Sequence, residues 1–291
     1  MSALAEPLRS PGADRRRLRR RFTRRPPAVV GLLGVAVVVL VAVLAPWVAP
    51  HDPSASDYAL ILVPPGSPGH LLGTDDVGRD LLSRLVVGSR ASLTAGVLST
   101  LLAMLVAVPI GLLAGYYRGW LDPVISRVTD VVLAFPFLIL AVGLAAILGP
   151  SLINATIALA VSQVPGFVRV TRGEVLGLRE QEYVEAAVVN GAPDRVVLVR
   201  HILPNTVNPL IVQATVAIPT AIIGAAVLSF LGLGEQPPTP SWGTMLSDAQ
   251  QYITQAPWFA IFPGLAIALT TLSFNLFGDG LRDVLDVRTR T

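Results

Sequence analysis

Long stretches without any charged residue constrain this chain more than any other feature of its sequence. Five windows contain no Asp, Glu, Lys, Arg or His, and the chain as a whole is 53% hydrophobic and only 14% charged. A membrane-spanning helix needs about 20 apolar residues, and a soluble domain is closer to a quarter charged. The windows lie between Arg25 and His51, Arg90 and Arg118, Asp130 and Arg169, His201 and Glu235, and Asp248 and Asp279. The sequence therefore predicts an integral membrane protein.

Six spans follow from these five windows, because the window after Asp130 is long enough for two. Gly149, Pro150 and Ser151 interrupt it, as a turn between two helices would. Helices are expected because lipid cannot satisfy open backbone polar groups and the spans lack the alternation of a barrel. We predict an all-α integral membrane protein with six transmembrane helices. The predicted spans are 27–49, 92–116, 125–148, 152–171, 206–232 and 259–278.

The placement of arginine predicts the orientation. All 22 basic residues are Arg, and with six spans both termini lie on one side of the membrane. That side carries 19 of them, nine in the tail 1–26, whereas the other side carries only Arg79, Arg84 and Arg90. The positive-inside rule then places both termini in the cytoplasm. We interpret the Arg-rich tail as attracted to anionic lipid headgroups rather than to nucleic acid.

Several kinds of chemistry are excluded by residue types that the sequence lacks. Without Lys there is no phosphate-binding P-loop, and without Cys there is no disulfide or thiolate metal site. His51, His70 and His201 are far apart in sequence and on opposite sides by this topology, so we expect no metal cluster from them. Arg127 and Asp130 are spaced to pair at the inner end of the third span. We predict no catalytic residue, bound cofactor or metal in this chain.

A secondary transporter is disfavoured for a related reason. Ion-coupled transporters and membrane enzymes place ionisable groups in the middle of spans, where their burial is tolerated only for function. Such transporters also show inverted internal repeats. The spans predicted here contain neither feature.

The polar segment 173–205 lies between the fourth and fifth spans, on the side assigned to the cytoplasm. Its pattern predicts a helix over 173–189, a tight turn at Gly191, and a second helix from Pro193. That helix is expected to end at Leu203 and Pro204, where the chain would bend into the fifth span. From physics alone, the segment is either a knuckle that docks on another protein or a loop resting on the membrane surface.

The residues of this segment resemble the EAA loop of ABC importer permease subunits. In that family the loop forms a short helix that docks into a groove on a separate ATPase subunit. The form His201-Ile202-Leu203-Pro204-Asn205 is similar to the dipeptide/oligopeptide branch. The residues that match the EAA pattern, and that the resemblance assigns to ATPase coupling, are Glu185, Ala186, Ala187, Gly191, Leu203 and Pro204.

Two further segments narrow the resemblance. Residues 70–85 resemble the signature that precedes the second span of C-type peptide permeases, and residues 278–286 resemble their C-terminal signature, with Val287 where Pro is expected. In the outer loop 50–91 the first signature predicts an interfacial helix capped by Thr74 or Asp75. The second is expected to cap the last span before the cytoplasmic tail 279–291.

The resemblance implies a type I ABC importer permease fold in the bacterial plasma (inner) membrane, with residues 92–278 as the permease core. It implies a homologous B-type permease subunit as partner, and the two subunits would each form half of the pathway. It also implies two ATPase subunits that bind ATP and Mg, and an extracytoplasmic peptide-binding protein. The substrate would be a dipeptide or oligopeptide, and lipid would surround the spans; no nucleic acid is expected.

The residues that line the pathway are less defined by sequence. Gln163, Gln213 and Asn275 are polar residues within spans, and they either face a water-filled cavity or bond neighbouring helices.

Two other functions stay open. One is an importer of nickel or another small solute built from the same subunit type. The other is a membrane-anchored scaffold, which would need no cytoplasmic knuckle.

Overall fold

A computed structural model describes residue 23 and residues 25–285 of the chain. Within that part the chain is helical, and its only extended pairs are two isolated bridges in the outer loop. Five helices are long and apolar enough to cross a membrane, and the count is six if one pair that is bent by 89° is taken as a single span. The predicted all-α membrane protein is confirmed, and the predicted six spans agree with the upper count. The helices are α1 (Pro26–Val48), α2 (Leu81–Tyr117), α3 (Leu121–Leu133), α4 (Phe137–Leu148), α5 (Leu152–Arg179), α6 (Glu182–Val189), α7 (Asp194–Phe230), α8 (Trp242–Ala249) and α9 (Pro257–Leu285).

The two tails fall largely outside this description. Residues 1–22 and 24 of the Arg-rich tail, and residues 286–291 of the C-terminal tail, lie outside the described residues. The assignment of both termini to the cytoplasm therefore stays a prediction.

Helix α2 is much longer than the span predicted within it. It runs for 37 residues, about 55 Å, and the sequence predicts only 92–116 together with a separate interfacial helix. Its N-cap is Asp80, whose side chain accepts a hydrogen bond from the Ser83 N–H, and neither Thr74 nor Asp75 caps it. The separate interfacial helix is therefore wrong, because its apolar residues from Leu81 onward form the first turns of α2.

The third span is broken instead of straight. Helices α3 and α4 meet at 89° across a short break that ends at Pro136. Proline lacks the N–H for a helical hydrogen bond and disfavours the helical conformation of the residue before it, here Phe135. The predicted pair of Arg127 with Asp130 is also wrong. Asp130 instead accepts a hydrogen bond of 2.8 Å from Arg169 on α5, which joins two helices instead of two turns of one.

The inner polar segment is divided differently from the prediction. Residues up to Arg179 extend α5, and α6 begins only at Glu182, so the single helix over 173–189 is wrong. The second helix does not end at Pro204 as expected, since α7 is continuous from Asp194 to Phe230 through a π-helical stretch, Val197–Ile202. Pro204 lies in the first turn of the α-helical part that follows, where a missing N–H is tolerated. The C-terminal signature likewise continues α9 instead of capping it.

Small residues make the closest contacts between spans. A Cβ added at Gly111 would lie 2.5 Å from Cβ of Thr171 on α5, and one added at Gly115 would lie 2.7 Å from Cβ of Val175. This is the small-xxx-small arrangement that lets helix backbones approach each other in lipid. Helix α1 approaches α9 in the same way, because a Cβ at Gly31 would lie 2.4 Å from the backbone nitrogen of Phe277.

A group of charges with two fully buried members, Asp75 and Arg84, anchors the loop between α1 and α2, and we call it the outer ion cluster. Its members are Asp75, Asp76, Arg79, Arg84 and Asp248. Arg79 Nε lies 2.6 Å, and Arg84 Nε 3.3 Å, from an Asp75 oxygen, while Arg84 is 3.6 Å from Asp248 on α8. Burial raises the pKa of both Asp76 and Asp248. The cluster ties the loop to α2 and to α8, a helix that the sequence does not predict.

Candidate functional site

The predicted docking segment forms a compact turn at the span ends that are predicted to face the cytoplasm, and we call it the inner knuckle (residues 180–194). Helix α6 is anchored in it by one apolar side chain. Val184 is buried against Val175 and Leu178 at the end of α5 and against Val197 and Ile202 at the start of α7. Burying a Val side chain contributes about 1.5–3 kcal/mol, so α6 is held in one position on the spans.

The turn after α6 depends on Gly191. Its φ is +77°, a conformation that favours glycine, although a side chain there would meet open space. Backbone N–H groups of Gly191 and Ala192 donate to the carbonyls of Val188 and Ala187, and the Asn190 side chain donates to Ala186. These bonds satisfy the last carbonyls of α6 and reverse the chain toward α7. The tight turn predicted at Gly191 is confirmed.

The face of α6 that points away from the spans is apolar and unoccupied by any other described part of the chain. Val189 is 86% exposed, and Val188, Ala186 and Glu185 beside it are also exposed. We call these four residues the docking face. Apolar contact area with one carboxylate at its edge suits binding to a protein groove, and the small side chain of Ala186 permits close approach of a partner.

Polar bonds join the inner knuckle to two spans. The Tyr116 hydroxyl, at the end of α2, donates a 2.8 Å hydrogen bond to Asp194 at the start of α7. Arg179, at the end of α5, donates to the Tyr116 carbonyl and lies 5.5 Å from the centre of its ring. Arg118 and Glu180 form an exposed ion pair of 2.7 Å alongside. These contacts link the inner knuckle to the ends of α2, α5 and α7.

A cleft of about 610 Å³ lies beside these bonds, between the end of α2 and helix α6. Tyr116 and Val184 line it, together with Glu185, Val188 and Val189 from the docking face. The docking face is therefore one wall of a concave surface, and a convex partner segment would contact both walls.

The predicted coupling residues do not all lie on this surface. Glu185, Ala186 and Gly191 are exposed at the knuckle, and Ala187 is half-buried behind them. Leu203 and Pro204 lie further along α7, roughly 14 Å from its start, and Leu203 is half-buried there. The sequence pattern thus combines residues of α6 and its turn with two residues on α7. Tyr116 and Arg179, which the pattern does not include, hold the knuckle to the spans together with the buried Val184.

The three candidate pathway residues have different surroundings. Gln163 is buried between α2 and α5, where its side chain bonds Thr100 and Ser99. Gln213 is half-buried and lines a polar cleft of about 370 Å³ shared with Asp279 of α9. Asn275 is exposed on α9. The side chain of Gln163 is thus engaged in bonding helices together, whereas that of Gln213 borders open space.

Comparisons with known families account for most of the chain. The profile of the binding-protein-dependent transport system inner membrane component family matches residues 107–291. The profile of the N-terminal TM domain of oligopeptide transport permease C matches residues 15–65. The first match includes the inner knuckle and the helices that hold it, and the second includes α1.

Individual relatives are similar over nearly their whole length. A dipeptide transport system permease protein of Alkalihalophilus pseudofirmus is 46% identical over 91% of this chain and 86% of its own. A di/tripeptide transport system permease protein of Pseudomonas aeruginosa is 47% identical over 92% and 90% of the two chains. A glutathione transport system permease protein of Escherichia coli O6:K15:H31 is 47% identical over 93% and 89%.

Proposed function

Since the chain belongs to the family of inner membrane components of binding-protein-dependent transport systems, and is a multi-pass protein of the bacterial inner membrane, we propose that it is the C-type permease subunit of an ATP-driven importer of short peptides. Its relatives are transport permease subunits and not enzymes. It would form half of the translocation pathway, with a homologous B-type permease forming the other half.

The docking face is the observation that carries the proposal. Val188 and Val189 are exposed at the tip of a helix that is itself fixed to the spans through Val184. Exposure of this apolar tip to water is unfavourable, and a tip that is held in one position suits insertion into the groove of a partner. The partner we propose is an ATPase subunit, which would bind ATP and Mg in its own chain. A second ATPase would meet the B-type permease.

The bonds behind the docking face support a route for the force. Movement of α6 acts on Asp194 and on Tyr116, and through them on α7 and α2. Two-state movement of packed helices is a common form of conformational switching. We propose that closure of the ATPase pair moves the inner knuckle, and that the spans respond by opening the pathway to alternate sides.

Short peptides are the substrate class that the relatives favour. The three relatives named above serve dipeptides, di- and tripeptides, and glutathione, and all are about equally similar to this chain. We propose that an extracytoplasmic peptide-binding protein delivers the substrate at the outer face. The polar cleft with Gln213 and Asp279 is a suitable surface for peptide at the inner end of the pathway.

The substitution Ala186→Arg tests the proposal, because it places a bulky charge in the centre of the docking face. The permease is purified from its native membranes in mild detergent, and ATPase subunits are detected in the preparation. Uptake of a labelled dipeptide is then measured in cells. We expect Ala186→Arg to lose both the ATPase subunits and uptake.

The control is Ala55→Arg, the same substitution at an exposed position of the outer loop. It should retain both properties. ATPase subunits that remain bound to Ala186→Arg would refute the docking role. Retained ATPase binding in the wild type without dipeptide uptake would refute only the substrate class, and uptake of Ni²⁺ would then identify the rival function.

A further inference from the structure

We infer that His51, His70 and Asp80 form a binding site for a divalent transition-metal ion at the outer end of the protein. The inference does not depend on the proposed transport function. It corrects the expectation that the histidines lie apart, since His51 and His70 stack with ring centroids 5.0 Å apart. Only His201 lies elsewhere, on α7.

The distances between the side chains suit a small tetrahedral ion. Nδ1 of His70 is 2.9 Å from one oxygen of Asp80, and Nδ1 of His51 is 3.7 Å from the other. One ligand atom from each of the three residues lies within 4.8 Å of the other two. Zinc bonds of about 2.0–2.1 Å to nitrogen and oxygen place tetrahedral ligand atoms about 3.3 Å apart. The observed separations lie on both sides of that value, so small side-chain rotations complete the geometry.

The carboxylate is held in place by neighbours, as metal ligands usually are. The Ser83 N–H and hydroxyl both donate to one Asp80 oxygen, at 2.8 and 2.7 Å. The His51 backbone N–H in turn donates to the Ser83 hydroxyl at 3.0 Å. Supporting hydrogen bonds of this kind orient ligands and raise metal affinity by about 10–100-fold.

The three ligands differ in exposure, from a buried Asp80 to a partly exposed His51, and the exposed side leaves the ion a route of entry. The side chain of Asp80 is 1% exposed, that of His70 13% and that of His51 43%. Three protein ligands with one open side are typical of a site that keeps a water molecule as its fourth ligand. Two imidazoles with a single carboxylate favour zinc and its first-row neighbours over Mg²⁺ and Ca²⁺, which prefer oxygen ligands.

Metal binding would replace an existing hydrogen bond. In the absence of the ion, the proton between His70 Nδ1 and Asp80 joins these two groups. When the ion binds, Nδ1 of His70 gives up that proton and the other ring nitrogen takes one from solvent, so that His70 stays neutral. His51 follows α1 directly, His70 lies in the middle of the outer loop, and Asp80 caps α2. The ion would therefore clamp three segments that are distant in sequence.

The experiment uses the full-length chain, purified in detergent with an affinity tag that contains no histidine and stripped of metal with EDTA. Zn²⁺ bound after dialysis is measured by mass spectrometry, and Co²⁺ is added separately to record the visible absorption of a tetrahedral site. We expect one Zn²⁺ per chain, not displaced by excess Mg²⁺. Absence of bound Zn²⁺ in the wild type would overturn the inference.

The decisive variant is His51→Ala. The His51 ring is partly exposed and forms no hydrogen bond with another described residue, so its removal leaves the fold and the bond between His70 and Asp80 in place. We expect at least a tenfold loss of Zn²⁺ affinity and loss of the Co²⁺ absorption. The matched control is His201→Ala, which should bind as the wild type does. Equal Zn²⁺ binding by the wild type and His51→Ala would refute the proposal.

Discussion

Replacement of Arg84 by Met should destabilise the protein strongly, because it removes a buried cation from the outer ion cluster. Arg84 is only 2% exposed, and its guanidinium lies 3.3 Å from Asp75 and 3.6 Å from Asp248. It also donates a 3.3 Å hydrogen bond to the carbonyl of Pro53, in the loop after α1. Met matches the aliphatic stem of Arg and carries no charge, so the substitution removes the guanidinium while keeping an apolar side chain in place of the stem.

The magnitude follows from what remains around Asp75. Removing one member of a buried ion pair costs about 3–5 kcal/mol, because the other charge stays buried without compensation. Asp75 keeps its 2.6 Å bond from Arg79 and accepts a backbone N–H from the same residue. The loss of stability should therefore lie at the lower end of this range, about 3 kcal/mol. For a chain of this size, that lowers the midpoint of thermal unfolding by about 6–12 °C.

Tryptophan fluorescence during heating in detergent measures the effect. Trp242 on α8 donates a 3.0 Å hydrogen bond to the Leu85 carbonyl, so its emission reports on the contact between α8 and α2. Arg90→Met is the matched control, since Arg90 lies six residues further along the same helix, is exposed, and forms no ion pair within the described residues. A folded Arg84→Met variant with the midpoint of the wild type would refute the ionic account of the outer ion cluster.

Three other predictions concern the spans, the inner knuckle and pH. Gly31→Ala should lower stability by about 1–3 kcal/mol, measured as a lower thermal midpoint, because the new Cβ would overlap the backbone of Phe277. Tyr116→Phe removes a hydrogen bond to the charged Asp194, worth about 1.5–3 kcal/mol. Peptide uptake per ATP hydrolysed in proteoliposomes should fall about tenfold while ATPase subunits stay bound; an unchanged ratio would contradict the proposed route of force. Burial raises the pKa of Asp248 above 3.8, so its protonated form stabilises the fold, and this contribution is lost as pH rises through the raised value. Asp248→Asn should therefore flatten the dependence of the thermal midpoint on pH over that range, and an unaltered dependence would contradict it.

The spans could be predicted from sequence because lipid imposes a simple rule on them. The predicted span 27–49 differs from α1 by one residue at each end, since charge ends abruptly at Arg25 and returns at His51. The start of α2 could not be found in this way. Arg84 and Arg90 suggest that the helix begins after them, whereas Arg84 is neutralised by Asp75 and by the distant Asp248. Charge pairing across the fold is invisible in a single sequence.

Part of the candidate site could also be predicted from the sequence, where a local residue type indicates a local conformation. Gly191 signals its own turn, because glycine is the residue that a positive φ favours. The hydrogen bond between Tyr116 and Asp194 joins residues 78 positions apart, and no local sequence pattern predicts it. The spacing of Gly111 and Gly115 was a usable signal for the close contact of α2 with α5, as small residues four apart commonly mark such contacts.

Helix α7 runs unbroken from Asp194 to Phe230, a length of about 55 Å, and so extends from the inner knuckle to the opposite end of the spans. A tilt of about 5° about one end would sweep the other end through about 5 Å. A continuous helix of this kind would carry a tilt at the inner knuckle to its far end, where the displacement would be largest.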